Sequence, residues 1–111
     1  MELTVLEFAQ KLDLKPIAGE SGFGNTVKSM YFGDLLSWVM GRAKENDAWV
    51  TILGHVNIVA VAVLAAVGCV VVCESADVSV QAIEKADAEG VPILTSPLGA
   101  FELAKKYIHL E

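Results

Sequence analysis

Between Trp49 and Leu110 the chain repeats one unit three times, a short apolar run followed by a capped helical stretch. The runs are Trp49-Val50-Thr51-Ile52-Leu53, Cys69-Val70-Val71-Val72-Cys73 and Val91-Pro92-Ile93-Leu94-Thr95. Apolar runs of this length separated by helical patterns read as parallel strands, because a parallel pair needs a long connection that packs back on the sheet. The expected fold is therefore α/β, a layered single domain with a mainly parallel sheet built from consecutive β-α units and helices packed on it. With 111 residues the chain is expected to form one domain over 1–111, and folding should bury roughly 65% of the unfolded surface.

Composition removes several classes of partner. A net charge of -6 and a pI near 4.8 argue against nucleic acid and against anionic membrane, since both reward clustered Lys and Arg. The nearly uncharged stretch 56–73 has the length of a membrane span, but Asn57 and Gly68 interrupt it, Ala dominates its first half and β-branched residues fill the second. A buried helix followed by a buried strand explains it better. No basic segment leads into a signal-like apolar core at the N-terminus, so a cytoplasmic location is expected. Cys69 and Cys73 would share one face of a strand about 13 Å apart, too far to bridge each other, and their spacing fits neither a zinc nor a redox pair. They read as small buried hydrophobes in a reducing compartment.

Thr4-Val5-Leu6-Glu7 is a capping box opening a helix whose apolar positions, Val5, Phe8, Ala9 and Leu12, recur at helical spacing. Leu14 to Ala18 reads as a strand, and Pro16, which cannot donate to a ladder, argues for an edge location or a short strand. Gly19-Glu-Ser-Gly-Phe-Gly-Asn-Thr26 has the glycine spacing and final hydroxyl of a phosphate loop, but Asn25 stands where its lysine would be. Val27 to Phe32 alternates like a strand where a helix should follow, so the segment reads as a flexible connection between strands. Asp34 is the expected N-cap of a helix with Leu35, Leu36, Val39, Met40 and Ala43 as its apolar stripe. Trp38, beside that stripe, belongs either in the core or at an oligomer interface.

Gly54-His55-Val56-Asn57 follows the first repeated strand. Gly54 would permit a tight exit, Asn57 would cap the next helix, and His55 would stand at the carboxyl edge of the sheet. Open α/β sheets bind ligands at that edge, where helix N-termini offer unpaired amides to an anion. The alternative is that both residues serve only the loop and the cap. The helix 58–67 has no polar face, so the surface that the sheet leaves uncovered must meet another helix, a second copy of the chain or a partner; a homodimer is expected, with Trp38, Ile58, Val61 and Ala62 at its interface. Ser79 should cap the helix Val80 to Glu89, with Gly90 as its left-handed stop. Ser96 and Pro97 should open the last helix, whose core side carries Leu98, Phe101, Ala104, Tyr107 and Ile108 and whose last turn carries Lys105 and Lys106. Leu110-Glu111 could be a vector-derived remnant.

No Ser/His/Asp order with an elbow motif and no metal-ligand cluster occurs, so neither catalytic residues nor a metal nor a cofactor is expected. Three blocks resemble the DRTGG domain family, related to the N-terminal, non-catalytic domain of HPr kinase/phosphorylase. They are Gly33-Asp34-Leu35-Leu36-Ser37; Trp49-Val50-Thr51-Ile52 with His55, Asn57 and Ile58-Val59-Ala60-Val61-Ala62; and Gly90-Val91-Pro92-Ile93-Leu94-Thr95 with Phe101-Glu102. The resemblance covers essentially the whole chain. It implies a regulatory or ligand-sensing module rather than an enzyme, the kinase reaction belonging to a separate P-loop domain. A small anionic ligand such as an adenine nucleotide would be held by Gly54, His55, Asn57, Glu74, Ser75, Thr95 and Ser96. The other reading is a protein-interaction accessory module, for example of a redox or hydrogenase system, without a small-molecule ligand.

Overall fold

The computed structural model describes residues 2–110; Met1 and Glu111, the latter half of the suspected vector remnant, lie outside the described residues. Leu110 packs against the core. The chain begins with β1 (Leu3–Thr4), α1 (Val5–Leu12), β2 (Lys15–Ala18) and β3 (Thr26–Val27). Four β-strands then alternate with helices: β4 (Ser29–Phe32), α2 (Leu36–Arg42), β5 (Asp47–Thr51), α3 (Asn57–Ala65), β6 (Cys69–Val72), α4 (Val80–Glu89), β7 (Ile93–Thr95) and α5 (Ala100–Ile108). The five-stranded sheet has the order β2-β7-β6-β5-β4, with β4 through β7 parallel and β2 antiparallel on β7. This is the mainly parallel α/β architecture expected from the repeats.

The order of the parallel strands explains the layers. Successive strands lie side by side without reversal, and crossovers of one hand then put every connecting helix on the same face. Val39 of α2, Ile58, Val59, Val61 and Ala62 of α3, and Ala86 of α4 form one core with Trp49, Val70, Val72 and Ile93. The other face carries α1 and α5, whose Phe8, Leu12, Leu103 and Tyr107 meet Ala48, Val50, Cys69, Val71, Cys73 and Leu94. Neighbouring residues of β5, β6 and β7 thus feed opposite cores, the period of two that a strand imposes. Both cysteines are free and buried on one face, and desolvation pushes the Cys69 thiol up to about 12.

Several local expectations hold. Thr4 accepts from the Glu7 N–H at 3.1 Å while Glu7 accepts from the Thr4 N–H at 2.9 Å, closing the capping box. Ser79 accepts from the Ala82 N–H, and Gly90 stops α4 with φ 69°. Pro16 lies on the edge strand β2, beside a register shift between Pro16 and Ala18.

Others are corrected. The segment 27–32 is two strands, because Val27 pairs with Leu3 in a separate ribbon while Ser29–Phe32 pairs with β5. The glycine-rich segment is tied down: it contains a one-turn 3-10 helix at Glu20–Gly22, and the Gly19 N–H donates to Asp87 Oδ1 at 2.7 Å. Gly19 has φ 76° and a Cβ there would lie 2.0 Å from the Val91 carbonyl oxygen, so the position requires glycine. Ser96 and Pro97 form a turn in which Ser96 Oγ accepts from the Leu98 N–H, and the α5 cap passes to Gly99, whose N–H donates to Glu102. Ile58, Val61 and Ala62 are buried within the fold, because α3 lies between α2 and α4 as well as on the sheet. They have no surface to offer a second copy; the exposed residues of α3 are Asn57, Ala60, Val63 and Leu64. Trp38 is not a core residue: it is 54% exposed, with the Arg42 guanidinium 4.0 Å from its ring centroid.

Trp49 is fully buried on β5, between β6 and the edge strand β4, and its Nε1–H donates to the Gly33 carbonyl at 2.8 Å. Trp49→Phe removes that donor and leaves a small void. Urea denaturation of this variant should show a loss of about 1–3 kcal/mol at an unchanged m-value.

Candidate functional site

The carboxyl ends of β5, β6 and β7 release the chain into loops 52–56, 73–79 and 96–99. Parallel strands in one register place all three exits on one rim. The loops are knitted together by backbone hydrogen bonds: the Ser79 N–H donates to the Gly54 carbonyl, Glu74 N–H to Leu98 carbonyl, and Ser75 N–H to Ser96 carbonyl, at 2.8 to 3.0 Å. Gly54 is where two of these loops cross. A Cβ at this residue would lie 1.7 Å from the Asp77 carbonyl oxygen, so close approach, rather than a left-handed turn, demands glycine.

That crossing divides the rim. On one side His55 and Asn57 line a mainly apolar cleft of about 410 Å³ between the starts of α2 and α3, walled by Leu35, Leu36, Leu53 and Ile58 with Asp34 at its margin. On the other, Ser75, Thr95 and Ser96 line a cleft of about 390 Å³ together with Asp13, Lys15 and Asp77. The seven expected ligand residues therefore do not form one pocket. Gly54 supplies the ridge between two clefts. Glu74 lines neither; its side chain lies beside Gly99 at the start of α5.

The α3 terminus also differs from expectation. Asn57 is inside the helix and caps nothing; the Asn57 N–H donates to His55 Nδ1 at 3.2 Å, and the Ile58 and Val59 amides donate to the carbonyls of His55 and Val56. The first amides of α3 are thus occupied by the chain itself, which removes the anion cradle that a bare helix start would offer. Asp34 does not cap α2. Its Oδ1 accepts from the Thr51 hydroxyl at 2.7 Å and the Ile52 N–H at 3.0 Å, clamping the exit of β5.

Lys15 escapes sequence reasoning. It stands 80 residues before Thr95, and it reaches the rim only because β2 runs antiparallel beside β7, where Lys15 pairs with Thr95 and its carbonyl accepts from the Thr95 hydroxyl at 3.3 Å. No local signal reports that neighbour.

Glu74 and Ser75 are consecutive non-glycine residues with φ 58° and 55°, an uncommon backbone held by their amide bonds to 98 and 96. Burial, aided by the negative charges of Glu74 and Asp34, keeps the Cys73 thiol above its ordinary pKa and so a poor nucleophile. Among the described residues no three His, Cys, Asp or Glu side chains converge to hold a metal ion, and no helix is long and apolar enough to cross a membrane.

Neither a family model nor a curated protein matches the sequence. Among solved structures, the chain is similar to the CBS and DRTGG domains of the regulatory region of Clostridium perfringens pyrophosphatase, determined in complex with the activator diadenosine tetraphosphate. The TM-score is 0.73 at 15% identity, over 95% of this chain and 46% of that one. The chain thus spans about half the length of that structure. At this identity the likeness concerns the fold, and it supports the DRTGG-like fold expected from the sequence.

The role of His55 as acceptor for the α3 start is testable. His55→Ala should cost about 1 kcal/mol, His55→Asp should restore most of it by supplying another acceptor, and Asn57→Ala should stay within about 0.5 kcal/mol, all read from denaturation midpoints.

Proposed function

We propose that this chain is a non-catalytic regulatory domain, related to the N-terminal domain of HPr kinase/phosphorylase and working as a homodimer, that senses a small anionic ligand of the adenine-nucleotide class at the carboxyl edge of its sheet. The observation that carries the proposal is the cleft in which Lys15 joins Ser75, Thr95 and Ser96. The loops themselves hold no cation, and β2 supplies one from outside them. A lysine ammonium and the Ser75 and Ser96 hydroxyls suit a phosphate oxygen, the Thr95 hydroxyl being engaged with the Lys15 carbonyl. Asp13 and Asp77 on the same walls limit how much negative charge the cleft accepts, which favours a monophosphate or a polyphosphate whose charge magnesium reduces. The neighbouring apolar cleft, with His55 and Asn57 at its mouth, suits a base. The similar pyrophosphatase region, whose activator is a dinucleotide, supports the same class of ligand.

The accessory-module reading draws on one observation of its own, the exposed apolar side chains. Leu35 and Trp38 of the α2 region, Leu64 of α3 and Phe101 of α5 each keep more than half their surface in solvent. A protein partner would bury them.

Titration calorimetry with AMP, ATP and diadenosine tetraphosphate, with and without magnesium, separates the two. Saturable heat with at least one nucleotide is expected, and Lys15→Ala should weaken it about tenfold, the effect of about 1.4 kcal/mol. Absence of heat with all of them would reject the nucleotide reading and leave the interaction module.

A further inference from the structure

The two edges of the sheet are treated differently. β2, at one edge, carries the standard protections against strand addition: Pro16, a register shift at Pro16/Ala18 and the exposed Lys15. β4, at the other, carries none. Its residues Ser29-Met30-Tyr31-Phe32 are uncharged and without proline, and they pair with β5 in unbroken register. Phe32 is 39% exposed, and an apolar cleft of about 250 Å³ runs between the edge and Ile108 of α5.

From this contrast we propose that β4 is the contact between two copies of the chain, joined edge to edge as antiparallel strands about a two-fold axis at Tyr31, so that the two sheets become one. The proposal rests on the homodimer reading above and replaces the helical interface first expected. Backbone geometry selects the register. The Gly33 N–H donates inward to the Val50 carbonyl at 3.2 Å. Alternation along a parallel ladder then turns residue 31 inward as well, and leaves the N–H and C=O of Met30 and Phe32 facing out. Two copies satisfy these outward groups when Met30 of each pairs with the partner's Phe32, which puts Tyr31 directly opposite the partner's Tyr31.

This register is self-complementary in its side chains. Ser29 falls opposite the partner's Gly33, so no bulk collides. One step further the strand pairing ends, because the Lys28 N–H donates inward to the Asn46 carbonyl at 2.9 Å and its carbonyl accepts from the Tyr107 hydroxyl at 3.2 Å, while Asp34 Oδ1 accepts from Thr51 and Ile52. The paired residues 29–33 are uncharged, so no charge meets its like, and each end of the ladder is flanked by Lys28 of one copy and Asp34 of the other. Met30 and Phe32 line the cleft with Ile108, and the two clefts join into one apolar strip across the axis.

The test is light scattering together with a cysteine placed on the axis. The native chain, 11.8 kDa, should elute at twice that mass. Tyr31→Cys should form an intermolecular disulfide under mild oxidation, because facing residues of a non-hydrogen-bonded antiparallel pair lie about 4.5 Å apart at Cα, within bridging range. Ser29→Cys should not, since its own counterpart is offset along the strand; the native thiols are buried. Phe32→Pro, which removes an outward N–H and the ring in the apolar strip but no hydrogen bond to β5, should yield a folded monomer by circular dichroism and mass. A dimer that Tyr31→Cys does not cross-link overturns the edge pairing while the homodimer reading stands. A native chain that stays monomeric at several hundred micromolar overturns both.

Discussion

Burial of β6 on both faces is the constraint from which the other features follow. Cys69 and Val71 enter one core while Val70 and Val72 enter the other, and all four are sealed from solvent. A strand with no wet face needs a complete layer on each side, and a chain of 111 residues has few elements to supply them. The connecting helices α2, α3 and α4 fall on one face by the handedness of their crossovers, so the other is covered by elements outside the crossovers, before β4 and after β7. That is where α1 and α5 lie, their Phe8 and Tyr107 rings meeting edge to face at 6.0 Å. The arrangement couples α1 and α5 to the central strand.

The same layering places polar atoms at the rim and then satisfies most of them internally. Asp34 binds the exit of β5, His55 accepts from the start of α3, and the loops after β6 and β7 bond to each other. Such a rim has few idle backbone donors, so a ligand there would be gripped by side chains and by the shape of the clefts. This makes Lys15 more consequential than the helix termini, which carried the weight in the sequence-based reading. It also makes Gly54 a spacer: any side chain there would pry the two loops apart and merge or close the clefts.

The repeated units were legible because each strand is bounded by turn residues and buried on both faces, so composition alone marks it. β5 begins two residues before its apolar run, at Asp47, whose side chain accepts from the Lys44 N–H and which is buried despite its charge. Caps were legible where they are local: Thr4 with Glu7, Ser79 with Ala82. They were misread where a distant partner competes, as for Asp34, drawn off by Thr51 and Ile52, 17 and 18 residues away. Asn57 was misread for a related reason. Asparagine is the better generic cap, but the preceding turn had already brought an imidazole nitrogen to the amide. The neighbour of β2 is set by the whole sheet, and Lys15 was invisible for that cause alone.

Helix α3 shows how an apolar surface can be explained by position. A sequence without a polar face predicts cover on every side, and the simplest source of cover is a second molecule. In this fold α2 and α4 flank α3 while the sheet lies beneath it, so cover comes from within. What remains outside is Ala60, Val63 and Leu64, the last 73% exposed. That strip lies at the crest of the helical layer, far too narrow to require a partner by itself. The homodimer proposed above therefore draws on the end of the sheet rather than on the middle of the helical layer, because β4 turns backbone amides and carbonyls outward at a spacing that another strand matches.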